Sequence, residues 1–352
     1  MHLLITVLII VFGLYFTFQK PSNRINNVYI IICGLLLIVQ AGFREIDLVH
    51  MKNSNDTIRY YYMFQDMKNI SFGTLLSKFS LVAKDYYSRD MGYSVLVKLF
   101  QLFSTDFRTF LVLIAFIITT PLCFIIRIFT PPHIRSIMLA FLVYQALFAG
   151  FFETGIRQTI AMGFVLSSIN FVLKKNIVPF VICILIAYTI HSTAIFFVPL
   201  LLIHFIREYR KVLLVTLLCS PVLMSFVSTI IGYISQGTVY EGYASQRAGA
   251  GTPVFSAFLY LVAILYYWFY PKIQEETEYG GDLLSLAVMF AVLLMPLSWV
   301  NPNYLRLTFY FTSFFLAIIP LIVESVTRQI PQIRPPIYIG ITILLVCLKF
   351  LK

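Results

Sequence analysis

Twelve apolar runs divide this 352-residue chain and leave it little choice of environment. They cover 2–18, 27–43, 109–128, 136–152, 157–173, 177–190, 193–206, 212–231, 254–270, 283–299, 307–325 and 336–351. Crossing the hydrocarbon of a bilayer takes roughly 20 apolar residues in a helix. Irregular backbone facing lipid would strand its polar groups, so each run is predicted to be helical. Composition agrees, with 60% hydrophobic and 12% charged residues, where soluble domains have about 45–50% and about 25%. A soluble fold of this length could not hide so much apolar surface. That excludes a cytosolic enzyme, a disordered chain and a simple nucleic-acid binder. The predicted class is an all-α polytopic membrane protein of about 12 transmembrane helices, forming a single membrane domain over 1–352. The run from His2 to Phe18 lacks a basic leader and an A-x-A cleavage site, so it reads as a retained span.

The net charge of +11 has a topological origin for the most part. Alternate joints between the runs carry Lys20, Arg24, Arg127, Arg135, Lys174, Lys175, Arg207, Arg210, Lys211, Lys272, Arg328 and Arg334. The short joints of the other set carry only Arg157, Arg247 and Arg306, with Lys349 and Lys352 counting against the asymmetry. Basic residues concentrate on the cytoplasmic side, so the first set is predicted to be cytoplasmic. The acidic joint 271–282 is its least basic member. Both termini and the long loop 44–108 then face outward.

Loop 44–108 is too long for a simple connector. Its segments DTIRYYYMFQDM, FGTLLSKFSLVA and DMGYSVLVKLFQLFS have helical periodicity, with Tyr60, Phe64 and Met67 on one face and Leu75, Phe79 and Val82 on another. Amphipathic helices along the outer interface are expected. A second outer loop, 232–253, is rich in glycine and small residues and carries Arg247.

Removing the inside positives leaves an outer group: Arg44 and Glu45 after the second run, Glu153 and Arg157 before the fifth, His191 between the sixth and seventh, Arg247, and Arg306 before the eleventh. Arginine beside apolar sequence, on the side that topology does not require, is a functional candidate. Guanidinium groups grip phosphate through paired hydrogen bonds and keep their charge. The plainer account is snorkelling or a local pair, Arg157 with Glu153 or Arg44 with Glu45. His191 is either a hydrogen-bonded packing residue or an acid–base group. The outer acids are Glu45, Asp47, Asp56, Asp66, Asp85, Asp90, Glu153 and Glu241, and Asp56 is also suited to capping the helix that follows it.

The chain has no DxD, Walker A loop, dinucleotide fingerprint, HExxH or GxSxG. Its five cysteines lie in apolar runs with no CxxC pair, which points to packing, with neither a metal nor a disulfide implied.

Several motifs occur in an ordered series along the chain. They are FRxxD (Phe43, Arg44, Asp47), DTIRYYYMF (Asp56, Thr57, Tyr60, Phe64), RDMGYSVLVKLF (Asp90, Gly92, Tyr93), GIRQTIAMGF (Arg157, Gln158, Ala161), IHSTAIFFVPL (His191, Pro199) and LRLTFYF (Arg306, Tyr310, Phe311). In this order, over nearly the whole chain, they resemble the EpsG/Wzy family of bacterial polysaccharide polymerases. The lead-in DLVHMKNSNDTIRY is longer and more basic than the family's usual stretch.

The resemblance implies a plan like that of the GT-C membrane glycosyltransferases. It implies block transfer on the outer face of the cytoplasmic membrane, with no cofactor. The substrates would be oligosaccharide repeat units carried on polyprenyl diphosphate, as donor and as acceptor. A flippase and a chain-length regulator are the implied partners, with no nucleic acid. Arg157 and Arg306, helped by His191, would hold the donor diphosphate. Asp56 or Glu45 would deprotonate the acceptor hydroxyl, with His191 as the alternative base. Arg44, Arg247, Tyr60, Tyr93, Gln158 and Tyr310 would contact substrate. An O-antigen ligase shares this donor logic, and a lipid-linked oligosaccharide flippase would share the span count. A membrane acyltransferase leaves the outer arginines unexplained, and a channel or carrier is a further, non-enzymatic alternative.

Overall fold

A backbone surrounded by hydrocarbon must bond to itself, and among the described residues every regular element is a helix. A computed structural model of the chain describes residues 1–46, 56–77, 90–235, 251–277, 280–328 and 330–350. In order, the helices are α1 (His2–Thr17), α2 (Asn23–Gly42), α3 (Asp56–Met67), α4 (Phe72–Ser77), α5 (Met91–Gln101), α6 (Phe107–Phe129) and α7 (Ile134–Val143). A π-turn, Tyr144–Phe148, leads into α8 (Ala149–Thr154), α9 (Ile156–Ser167), α10 (Ile169–Leu173) and α11 (Ile177–Ile190). A 3₁₀ helix, Ser192–His204, precedes α12 (Tyr209–Ser235), α13 (Gly251–Glu276), α14 (Gly281–Leu294), α15 (Leu297–Val300), α16 (Leu305–Thr312), α17 (Phe315–Thr327) and α18 (Arg334–Phe350).

The chain is an all-α polytopic membrane protein, but its predicted spans are of unequal kinds. Among the described residues eight helices are long and apolar enough to cross a bilayer. A helix pair, Pro302–Thr312 and Phe315–Thr327, is apolar enough when taken together but is bent by 63°, as a broken span or a re-entrant loop would be. The remaining apolar segments, α1, α11 and the 3₁₀ helix, are shorter. The 14 residues of α11 rise only ~21 Å at α-helical pitch. A 3₁₀ helix is more extended, so the 13 residues that follow rise ~26 Å, near the ~30 Å of a hydrocarbon core.

Contacts divide the chain into two compact units. The first comprises Met1–Ile128, Pro132–Val198 and Tyr338–Lys352, and the second Phe129–Pro131 and Pro199–Ile337.

In the first unit α1 lies against α2 and α7, and α9 lies against α11. Gly163 lets α9 pass close to α6, since a Cβ there would strike the Ile117 side chain and carbonyl. The Asn26 amide donates to Pro132 O at 3.0 Å, which ties the 20–24 and 127–135 joints to the same end, as their charges predict. The described parts of loop 44–108 fold back onto this unit. Tyr60, Phe64 and Met67 are buried, as is Leu75, while Phe79 and Val82 lie outside the described residues. Phe64 meets Phe100, Phe107 and Phe110 in one aromatic cluster. Helix α5 also caps α3, because Gln101 Nε2 donates to Phe64 O (2.7 Å) and Lys98 Nζ to Met67 O (3.0 Å). Carbonyls in the last turn of a helix lack helical donors, and Met67 O accepts from Ile70 N at 3.2 Å as well.

In the second unit α12 packs on α14 and α13, α14 on α16, and α13 on α17. Ser220 Oγ donates to Val292 O (2.8 Å) and bonds the Tyr260 hydroxyl (2.6 Å), joining α12, α13 and α14. Arg328 pairs with Glu276 at 3.3 Å and Arg334 with Glu324 at 3.2 Å. The acidic joint 271–282 therefore sits at the same end as the basic joint 328–334.

Phe64→Ala is expected to cost about 3–5 kcal/mol by opening a cavity under α3. The measurement is the thermal midpoint of the detergent-purified protein; an unchanged midpoint would contradict the packing of α3.

Candidate functional site

Helix α5 begins with an uncommon backbone. Asp90 has φ 59° and ψ 41°, the left-handed region, which short polar residues tolerate better than others. Its carboxylate does not cap its own helix. Instead Oδ1 accepts from Ser192 N at 3.3 Å, while Oδ2 meets Arg157 Nη1 at 2.9 Å and His191 Nδ1 at 3.4 Å. The Asp90 side chain is only 1% exposed.

Each partner arrives at a break in a helix. His191 ends α11, where the chain turns extended at φ −155° and ψ 114°, and its amide still reaches Ala187 O. Ser192 opens the 3₁₀ helix, whose first amides have no partner within the helix. Asp90 thus caps that helix from a distance. Arg157 stands in the first turn of α9, after Gly155 breaks the chain from α8. Gly92 brings α5 this close to α11, because any Cβ there would strike Thr189 at both its hydroxyl and its carbonyl carbon.

Tyr60 on α3 completes the group. Arg157 Nε donates to its hydroxyl at 3.2 Å, and the guanidinium lies 5.7 Å from the ring centroid, within cation–π range. The Arg157 side chain remains 21% exposed. Tyr93 packs edge-on behind Tyr60, 5.6 Å between centroids. Burial raises the Tyr93 phenol far above its ordinary pKa, so it stays neutral.

A second polar network lies in the same unit. Glu153 accepts from Gln40 Nε2 (2.9 Å) and meets His2 Nε2 (3.1 Å). Gln145, in the π-turn, donates to Gln40 Oε1 at 2.7 Å. Thr57 Oγ1 donates to Glu153 O at 3.3 Å. Thr57 and Tyr60 lie three residues apart on α3, so this one helix touches both networks. Arg44 is buried and donates to Ala41 O, and its Nε and Nη2 make no hydrogen bond among the described residues. Desolvation pulls its pKa down to about 10, with Glu153 the main opposing influence, so it remains a cation at neutral pH.

The structure brings together Arg157, His191, Tyr60 and Tyr93 from the predicted set. It also corrects the local pairs expected from spacing. The carboxylate that Arg157 meets is Asp90 rather than Glu153, and Arg44 bonds the Ala41 carbonyl, with Glu45 exposed beside it. Asp56 is the first residue of α3. Tyr93, Gln158 and Tyr310 are at most 3% exposed, so they back the surfaces they were expected to line. Arg306, exposed on α16, and Tyr310 belong to the second unit. Arg247 lies outside the described residues. Asp90 was one of many outer acids in the sequence, and its place in RDMGY was the signal that could have singled it out. Among the described residues no three His, Cys, Asp or Glu side chains converge as a metal site would require. The arrangement offers a fixed guanidinium, a histidine whose Nδ1 is engaged, and one buried carboxylate linking them. It can hold an anion and take a proton side by side.

Gly92→Ala is expected to displace α5 from α11 and cost about 1–3 kcal/mol, read as a lower thermal midpoint. Adding Thr189→Ala should restore only part of it, because the Thr189 backbone is also in the way. Full restoration would contradict the backbone contact.

The chain matches the model of the EpsG family over residues 27–352. No curated protein and no solved structure matches it.

Proposed function

The chain belongs to the EpsG family, which is associated with polysaccharide polymerase activity, and on that premise we propose a block glycosyl transfer between lipid-linked oligosaccharides. Donor and acceptor are repeat units on polyprenyl diphosphate. The reaction takes place at the outer face of a bacterial cytoplasmic membrane, the side that the distribution of basic residues assigns to the outer joints. The observation that carries this reading is Arg157, held by Asp90 and Tyr60 within one ion-paired group with His191.

The chemistry needs two things at once. The bond from the donor's anomeric carbon to the diphosphate oxygen breaks, and its electron pair leaves with the polyprenyl diphosphate. A preorganised guanidinium stabilises that growing charge more in the transition state than in the ground state. The acceptor hydroxyl oxygen bonds the anomeric carbon and gives up its proton. His191 is the base that the geometry favours over Asp56 and Glu45, because its ring is fixed in the group that holds Arg157. Tyr60, itself buried, braces Arg157 from behind. Arg44, in the same unit, is a further cation for donor or acceptor phosphate.

The test is reconstitution of the purified chain in vesicles with lipid-linked repeat units isolated from cells deleted for it. No nucleotide or metal is added. The expected product is a ladder of polymer lengths. Arg157→Ala should lower the rate about 10²–10³-fold with the protein still folded. Arg157→Lys should also be badly impaired, since an ammonium lacks the paired fork. A normal ladder from Arg157→Ala would overturn the diphosphate assignment. Movement of the lipid across the vesicle without a ladder would make the chain a flippase.

A further inference from the structure

Asp90 is held in place at a cost. Its left-handed backbone is uncommon for any residue with a Cβ, though Asp bears it better than most, and its helix goes without a side-chain cap. Gly92 beside it gives up a side chain so that α5 can touch Thr189. What these concessions deliver is one carboxylate, almost fully buried, that meets donors from three separate elements: Arg157 on α9, His191 at the end of α11 and the Ser192 amide of the 3₁₀ helix. Balancing the charge of Arg157 would need only the first of these contacts.

We propose that Asp90 is the positioning residue of this site: one carboxylate oxygen aligns Arg157 and His191, so that His191 works as a general base through Nε2 beside the guanidinium that receives the leaving diphosphate. With Nδ1–H directed at Asp90, the basic ring nitrogen is Nε2. The carboxylate also stabilises the imidazolium that forms when the acceptor's proton arrives. It takes no proton itself and touches no substrate. The rate part of this inference rests on the polymerase reading above, while the pairing of Asp90 with His191 does not.

Among the described residues, Asp90 from the start of α5 meets the His191 ring, and Arg157 from α9 shares the same carboxylate oxygen, with Tyr60 and Tyr93 behind Arg157. The carboxylate favours the protonated ring and the guanidinium opposes it. Asp90→Asn removes the first influence and leaves the second, so the ring should lose its proton at lower pH. Asn tolerates the left-handed backbone and can still accept from Ser192 N, so the variant keeps its local fold.

Two measurements on the full-length chain test this. In the reconstituted assay, Asp90→Asn should slow ladder formation on the order of 10²-fold, and the acid limb of the pH–rate profile should move down by about one unit. Asp90→Glu, which keeps the charge, should return the acid limb towards wild type with only part of the rate. Independently, ¹⁵N-histidine NMR of the detergent-purified protein should show the His191 midpoint moving the same way in Asp90→Asn, with a more mixed tautomer population. A rate within twofold of wild type would overturn the proposal. So would a slow variant whose acid limb and ring midpoint stay put, since Asp90 would then merely hold helices together. If wild type makes no ladder but the NMR midpoint still moves, the polymerase reading fails and the alignment of His191 by Asp90 stands. Thermal midpoints recorded for both variants separate these results from unfolding.

Discussion

Every amide and carbonyl within a bilayer must find a partner in the protein. A continuous helix meets that demand without help, whereas a broken one needs side chains at the break. This chain breaks its helices at the π-turn Tyr144–Phe148, at Gly155, at His191 and between α16 and α17. Three of these breaks lie in the first unit, and the polar groups gather around them. Asp90 takes the Ser192 amide, Thr159 Oγ1 donates to Phe152 O at 3.1 Å, and Gln145 reaches from the π-turn to Gln40. The candidate site is therefore a by-product of the backbone's own needs, put to chemical use.

Charge imposes a second demand. An ion carried out of water needs a counter-ion and hydrogen bonds to offset desolvation. Asp90 and Arg157 supply each other, and the third of the guanidinium's contacts is aromatic. Glu153 is served differently, by an amide and a histidine, and Arg44 lies near enough to feel its charge. A carboxylate with a full cationic partner is a fixed anchor. The partial exposure of Arg157, set against the burial of Asp90, leaves the cation as the member of the pair that can meet a ligand.

Much of the fold is legible from local pattern. The apolar runs at 109–128 and 212–231 became α6 and α12 because a run of that length has few other options. The three-and-four spacing of Tyr60, Phe64 and Met67 marked the face of α3 that is buried. The form of each span was less legible, since length alone could not show that 192–204 would stretch into a 3₁₀ helix or that the helix around Ser313 would bend. Pairing was less legible still. Glu153 stands four residues before Arg157 and looked like its natural partner, but Gly155 breaks the helix between them, so the usual one-turn contact is lost.

The sequence by itself determined that this chain belongs in a membrane, that it is helical, and that a few arginines and a histidine remain once topology has claimed the other charges. Those are consequences of composition and of periods a few residues long. Only the tertiary structure decided which of them act together. Asp90, Arg157 and His191 are separated by 67 and 34 positions in the chain, and no periodicity connects such distances. They meet because Gly92 lets α5 lie against α11 and because α9 and the 3₁₀ helix both start at that end, where one buried carboxylate takes the Arg157 side chain and the Ser192 amide.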